Sequence, residues 1–398
     1  MKRTLANCIS LGIGLGAIGV TFPAQAASFQ GLGFLSDERD PSNFNSRAFG
    51  VSADGSVVVG ISFGEAFRWT QATGMVGLGG IPGGNFGSSA SGVSADGSVV
   101  VGYGSGANGI EAFRWTQGTG MVGLGDLPGD IFESIAFGVS ADGSVVVGRS
   151  PSANGLEAFR WTQGTGMVGL GDLSGSLFGN NASGVSADGS VVVGHANSPS
   201  LVLVGQAFRW TQATGMVGLG DLQGGSFGSS ASGVSADGSV VVGISRVFGN
   251  FGVEAFRWTQ ATGMVGLGDL PGGGFVGSIA TGVSGDGSVV VGIGNAGNSS
   301  TNRTFIWNSS QGMRNLQEVL TNDYGLNLTG WTLSEPTGIS ADGLSIVGWG
   351  TNPDGNTEAW LARLDGQTDP PNPSVPEPSS ILGLGLFSLV GFLIKKWS

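Results

Sequence analysis

One stretch of this chain, Gly92-Val-Ser-Ala-Asp-Gly-Ser-Val-Val-Val-Gly102, keeps returning. Copies begin at Gly50, Gly92, Gly138, Gly184, Gly233 and Gly282, and more loosely at Gly338, at intervals of 42 to 56 residues. A repeat of this length restricts the fold more than any other feature. One unit cannot cover its own apolar surface, so successive units must stack on one another as blades or coils.

The unit from Ser89 to Leu127 reads as four short strands. Ala90–Ser94 is strand a, and Ala95-Asp96-Gly97 turns it, because Gly next to Asp tolerates the positive φ of a tight hairpin. Ser98–Gly102 is strand b, apolar without alternation, as expected of a strand covered on both faces. After a variable b–c loop (Tyr103–Ile110), Glu111–Thr116 is strand c. Gln117–Gly120 turns the chain into strand d, Met121–Gly125. Four antiparallel strands per unit make a β-propeller blade. Seven Asp-Gly hairpins predict seven blades. The last repeat stops after its strand c (Glu358–Arg363), while Ser28–Leu35, ahead of the first repeat, resembles a strand d. The predicted fold is therefore an all-β seven-bladed propeller over residues 27–365. Its N-terminal strand completes the last blade and removes the exposed edges.

Strand c repeats a Phe and a Trp in register (Phe67/Trp69, Phe113/Trp115, Phe159/Trp161, Phe208/Trp210, Phe256/Trp258), which reads as core between blades. The Arg between them (Arg68, Arg114, Arg160, Arg209, Arg257) faces the other way. We expect it to pair with carboxylates such as Asp126, Asp172, Asp221 or Asp269 at the end of strand d, a structural role.

Charge narrows the partners. Formal net charge is −12, and the only lysines, Lys2, Lys395 and Lys396, lie at the two ends. An acidic body with no basic surface argues against nucleic acid. Cys8 is the only cysteine, so the body offers no disulfide, thiolate nucleophile or thiolate zinc site.

Residues 1–26 have the order of a secretory signal: Lys2-Arg3, an apolar run to Val20, then Ala24-Gln25-Ala26 before Ala27, where the mature chain is expected to begin. Residues 366–374 form a Pro-rich linker. Beyond it, residues 375–398 run from Pro376-Glu377-Pro378 through the apolar Ile381–Ile394 to Lys395-Lys396. Fourteen apolar residues are fewer than the ~20 that span a bilayer comfortably. This order resembles the PEP-CTERM sorting signal of Gram-negative bacteria. That resemblance implies recognition by an exosortase-type sorting enzyme, delivery to the cell envelope, surface or extracellular matrix, and membrane contact only before processing. A permanent C-terminal anchor is the alternative. The Ser-x-Asp-Gly turn with its apolar strand resembles blades of TolB-like and WD-type propellers. Glu-Ala-Phe-Arg-Trp, Gly-Asp-Leu and Ser-Ala-Asp-Gly-Ser-Val-Val-Val-Gly together resemble the HAF repeats of bacterial extracellular proteins. Glu or Gln here replaces that family's His, so no role of that His carries over.

Nothing in the repeat frames a catalytic constellation. His195, the only histidine, falls after strand b with no Gly-x-Ser-x-Gly near it. The repeated Asp54, Asp96, Asp142, Asp188, Asp237, Asp286 and Asp342 read as turn residues, because a calcium loop clusters several oxygen ligands. No metal or other cofactor is expected. The a–b and c–d turns barely vary, whereas the b–c and d–a loops do, and both kinds of loop emerge on one face of the disc. Function usually sits on variable loops held by a rigid frame, which makes Arg149, Arg246, Phe248 and Phe251 candidate binding-face residues. Neutral drift produces the same pattern. Three functions stay open: a non-catalytic adhesion or polysaccharide-interaction scaffold, a passive coat protein, and a glycan hydrolase or lyase using Asp130, Glu133, Asp323 or Glu335.

Overall fold

We describe the protein from a computed structural model, for residues 27–36, 44–85, 87–173, 179–197, 205–223, 228–247, 252–272, 277–295 and 302–364. The predicted signal residues Ala24 and Ala26, the linker, the Pro376-Glu377-Pro378 motif, Phe248 and Phe251 lie outside these residues. No helix among the described residues is long and apolar enough to cross a membrane.

Seven four-stranded antiparallel sheets form the seven blades of a propeller. Blade 2 is typical, with strand a at Ser88–Val93, b at Val99–Ser105, c at Ile110–Thr116 and d at Gly120–Gly123. In blade 7 the sheet is made of Thr332–Ile339, Ser345–Thr351, Thr357–Arg363 and, as the fourth strand, the N-terminal Ser28–Gly31. Ser28 pairs with Arg363 and Gly31 with Trp360, so the predicted closure is observed.

The valine triplets explain why strand b does not alternate. In blade 2, Val99 and Val101 pack with Ala112 against Val146 and Phe159 of blade 3, while Val100 and Phe113 face Val57 and Val59 of blade 1. Each strand b thus has a core on both faces. Each strand-c Phe from Phe67 to Phe305 is fully buried, contributing roughly 2–3 kcal/mol apiece. The Trp two residues on is less enclosed: Trp69 and Trp210 are buried, but Trp115, Trp161 and Trp258 only partly.

The Asp-Gly turn is a closed polar unit. Asp142 Oδ1 accepts from Ser140 Oγ (2.7 Å), Ser144 N (3.0 Å) and Ser144 Oγ (2.8 Å), while Ser140 Oγ accepts the buried Val145 N–H (3.0 Å). Gly143 takes the positive φ of 71° that the turn requires. Those hydrogen bonds, with Ser140 foremost, lower the Asp142 carboxyl to about 2. Adjacent turns are joined in a chain of backbone bonds from Ala53 N→Ala95 O (3.0 Å) round to Gly285 N→Ala341 O (2.9 Å).

The expected strand-c ion pairs are not formed. Each Arg instead donates Nε to the turn-glycine carbonyl of the next blade: Arg68 to Gly97 (3.1 Å), Arg114 to Gly143 (3.1 Å), Arg160 to Gly189 (3.3 Å), Arg209 to Gly238 (3.3 Å) and Arg257 to Gly287 (3.2 Å). Blade 7 reaches blade 1 from a different position, Arg363 Nη2 to Gly55 O (2.9 Å). Blade 6 has Ile306 where the Arg would be. There a helical turn over Leu316–Asp323 inserts Leu316 and Leu320 between blades 6 and 7.

Candidate functional site

A site on a repeat protein must lie where the repeat is broken. The frame of strand a is Ser-x-Ala-x-Gly-Val, departed from at Asn180 in blade 4 and at Pro336 and Ile339 in blade 7, and the two x positions change most. The first x is Arg47, Ser89, Ile135, Asn181, Ser230, Ile279 and Glu335 in blades 1 to 7. Across the hairpin, each pairs with an equally variable strand-b residue: Ile61, Tyr103, Arg149, His195, Ile244, Ile293 and Trp349. The second x (Phe49, Ser91, Phe137, Ser183, Ser232, Thr281, Thr337) is in every blade the extra residue of a β-bulge. Bulges re-aim side chains, and here one recurs in each blade at the same height.

These positions surround the molecular axis. The Gly-Val pairs that follow them, from Gly50-Val51 to Gly338-Ile339, line an axial channel of about 210 Å³. That ring is nearly identical in all blades. The variable ring lies one to three residues further along strand a, toward the d–a connections, and so forms the channel mouth on the loop-bearing face. The glycine that ends each valine triplet makes the crowding possible. A Cβ on Gly102 would collide with the Ser89 carbonyl oxygen and lie 2.9 Å from Ala90 Cα, and the equivalent carbonyl blocks the other six.

Two crevices open between blades at this level. Asn45, Arg47, Phe49, Ile61 and Phe63 of blade 1 face Ser89 and Tyr103 of blade 2 around about 480 Å³. His195 of blade 4 faces Ser229, Ser230, Ile244 and Arg246 of blade 5 around about 370 Å³. Phe63 is the one non-glycine residue with positive φ among the described residues (51°), a strained backbone at the rim of the first crevice. His195 Nδ1 lies 3.2 Å from Ser229 O, which can only accept, so that nitrogen carries the proton.

The loop assignment of the candidate residues needs correcting. Arg149 is inside strand b of blade 3 (Val145–Ser152), His195 inside strand b of blade 4 (Val191–Asn197), and Arg246 ends strand b of blade 5 (Val240–Arg246). Longer strands than the sequence suggests hold them rigidly. Arg47 escapes notice because it sits beside the repeat word in strand a, and Tyr103 and Trp349 because they directly follow the word's last glycine, where strand b and the variable loop cannot be told apart. The signal was present: changes at alternate residues of one strand mark one face of it.

The same ring carries charged side chains, Arg47, Arg149 and Glu335. The Arg47 guanidinium lies 4.5 Å over the Trp349 ring, and Arg149 lies 5.9 Å from the Phe137 ring centre. Burial pushes the Glu335 carboxyl above its ordinary value, against the opposing pull of a hydrogen bond with Trp349 and the charge of Arg47. The other carboxylates considered for catalysis are elsewhere. Asp130 and Glu133 are in the connection between blades 2 and 3, and Asp323 is bound by Arg314 (2.6 Å) in the helical turn between blades 6 and 7. No group of three or more His, Cys, Asp or Glu suited to a metal occurs among the described residues.

Fold and site together define a seven-bladed β-propeller with a symmetric frame and an asymmetric channel mouth. No protein-family model and no curated protein matches the chain. Among solved structures it is similar to an oligogalacturonate lyase from Vibrio parahaemolyticus, with a TM-score of 0.54 at 13% identity, covering 85% of this chain and 97% of that one. It also matches TolB from Acinetobacter baumannii, with a TM-score of 0.40 at 13% identity, covering 69% and 65%. At such identities the likeness concerns the fold alone.

Proposed function

We propose that this protein is a non-catalytic saccharide-binding propeller, exported by residues 1–26 and sorted through residues 375–398 to the cell surface or extracellular matrix. It would hold an extracellular polysaccharide at the channel mouth. One observation carries this reading: the inner strands depart from the repeat at one level of the disc, and there the crevice between blades 1 and 2 sets aromatic rings beside polar groups. Phe49, Phe63 and Tyr103 with Arg47, Asn45 and Ser89 supply apolar faces for stacking on sugar rings and polar groups that fix orientation. Rigid strands carry most of these residues, so little ordering cost opposes binding.

An extracellular glycan hydrolase or lyase is the competing reading, and the solved structure named a lyase shares the scaffold. Two carboxylates flanking one bond are the usual requirement of glycoside hydrolysis. Asp130 and Glu133 share the connection between blades 2 and 3, Asp323 lies between blades 6 and 7 and Glu335 in strand a of blade 7, a spread around the disc that favours the non-catalytic reading. The test is retention of the full chain on a panel of envelope and exopolysaccharides, with product analysis of the eluate. Retention of intact polymer supports the proposal. Shortened or unsaturated products would convert it to the enzyme reading, and no retention on any glycan would overturn it.

A further inference from the structure

The arginines of this fold divide into two groups. Eleven fall in the described residues. Five strand-c arginines and Arg363 donate to turn carbonyls of the next blade, and Arg303 and Arg314 pair with Glu318 and Asp323. The three that remain are Arg47, Arg149 and Arg246. Among the described residues their side chains make no hydrogen bond and no ion pair.

Arg47 and Arg149 lie in the channel-mouth ring on blades 1 and 3, and Arg246 lies on blade 5 at the rim of the second crevice, two residues beyond the ring position Ile244. The Nε atoms of Arg47 and Arg149 are buried without a partner, and so is Oδ1 of Asn181, the cross-strand neighbour of His195. These are three of the five such side-chain atoms in the described residues, gathered in one ring. Buried polar atoms are otherwise nearly always satisfied, so the two uncommitted Nε donors indicate a missing acceptor, and the Asn181 oxygen a missing donor such as a sugar hydroxyl. A guanidinium presents a planar fork that matches a carboxylate. In a chain of net charge −12 these are cations that no carboxylate of the frame neutralises within ion-pair distance, although Arg47 stacks on Trp349 and Arg149 lies beside Phe137.

We propose that the channel mouth recognises an acidic polysaccharide, with the carboxylates of successive uronate units bound by Arg47, Arg149 and Arg246. This rests on the saccharide-binding reading above and names its ligand chemistry. Cations on alternate blades suit a polymer whose charges recur along its length and which lies as an arc across the mouth. Tyr103 and Phe49 beside Arg47, and Phe137 beside Arg149, provide apolar surface for the sugar rings between the charges.

The experiment measures binding of the full chain, purified in detergent, to alginate, dextran and dextran sulfate at low and high salt. The variants are Arg47→Gln, Arg149→Gln, Arg246→Gln and Arg160→Gln. We expect binding to alginate that weakens with salt, and a loss of about tenfold for each mouth variant, the size of one charge-assisted hydrogen bond. Arg160→Gln removes a frame arginine with the same change of charge and is expected to leave affinity unchanged. Circular dichroism of each variant separates lost binding from lost fold. Equal binding to dextran, with mouth variants behaving as the parent, would overturn carboxylate recognition and leave saccharide binding intact. Equal binding to dextran sulfate would reduce the site to general attraction of polyanions and also overturn it. Binding to none of these or any other glycan would remove both proposals.

Discussion

Gly102→Ala should be far more disruptive than a single added methyl normally is. The new Cβ falls on the Ser89 carbonyl oxygen and 2.9 Å from Ala90 Cα, both backbone atoms of the neighbouring strand a. No side-chain rotation relieves that overlap, so the bulged strand must shift. Overpacking of this kind costs roughly 1–3 kcal/mol, and a backbone obstacle belongs at the upper end, about 3 kcal/mol. With ~2.1 cal/mol/K of unfolding entropy per residue, a propeller of this size should lose about 4 °C in Tm. Gly118, in the c–d turn of the same blade, is the matched control. A Cβ there meets nothing within 4 Å, and Ala72, Ala213 and Ala261 occupy the same place in blades 1, 4 and 5. Gly118→Ala should be neutral or raise stability by up to about 1 kcal/mol through the unfolded chain. Thermal scans of both variants at one heating rate are the assay. A Gly102→Ala variant within 1 °C of the parent, or equal losses in the two, would refute the close-approach argument. The same shift should move Ser89 and Tyr103 and weaken binding at the first crevice.

Arg160→Gln should destabilise by about 1–2 kcal/mol through the lost bond between blades 3 and 4, read by chemical denaturation. Asp142 and Asp237 have folded-state values of about 2, below the 3.8 of the free side chain, so their stabilisation is complete above about pH 4 and lost as pH falls toward 2. Both turns are solvent-exposed, so screening keeps each contribution small. Tm should hold from pH 7 to 5 and decline below pH 4, less steeply in Asp142→Asn. Phe63→Asn should gain about 1 kcal/mol by suiting the positive φ, yet lose saccharide affinity with the ring. Deleting residues 28–31 should expose the strand bearing Trp360 and produce aggregation visible by light scattering. Mass spectrometry of the secreted protein should find Ala27 at its N-terminus.

The blade count was readable because each Asp-Gly hairpin marks an inner turn, and the closure because Ser28–Leu35 resembles a strand d. The valine runs declared two covered faces, and the structure shows both. What could not be read were interactions with backbone acceptors. A carbonyl is the same in every residue, so nothing in the sequence told Arg68 from a partner of an Asp, and the predicted ion pairs proved to be bonds to Gly97 and its equivalents. The site was half legible. Arg149 and Arg246 stand out in the sequence as departures from the repeat, but strand ends have no sharp marker, so the sequence reads them as loop residues. Arg47 and Tyr103 gain meaning only when the β-bulge register sets them across the crevice between blades 1 and 2.

The N-terminal strand also determines how the ring would carry a load. Because Ser28–Gly31 pairs on its outer side, Thr357–Arg363 is an inner strand of its sheet, bonded on both edges. Arg363 adds a bond into blade 1. A pull applied to the chain beyond Leu364 would therefore have to shear two hydrogen-bonded ladders at once instead of peeling one. Blades 7 and 1 would take the strain together, so the place where the two ends meet would hold like any other blade instead of failing first.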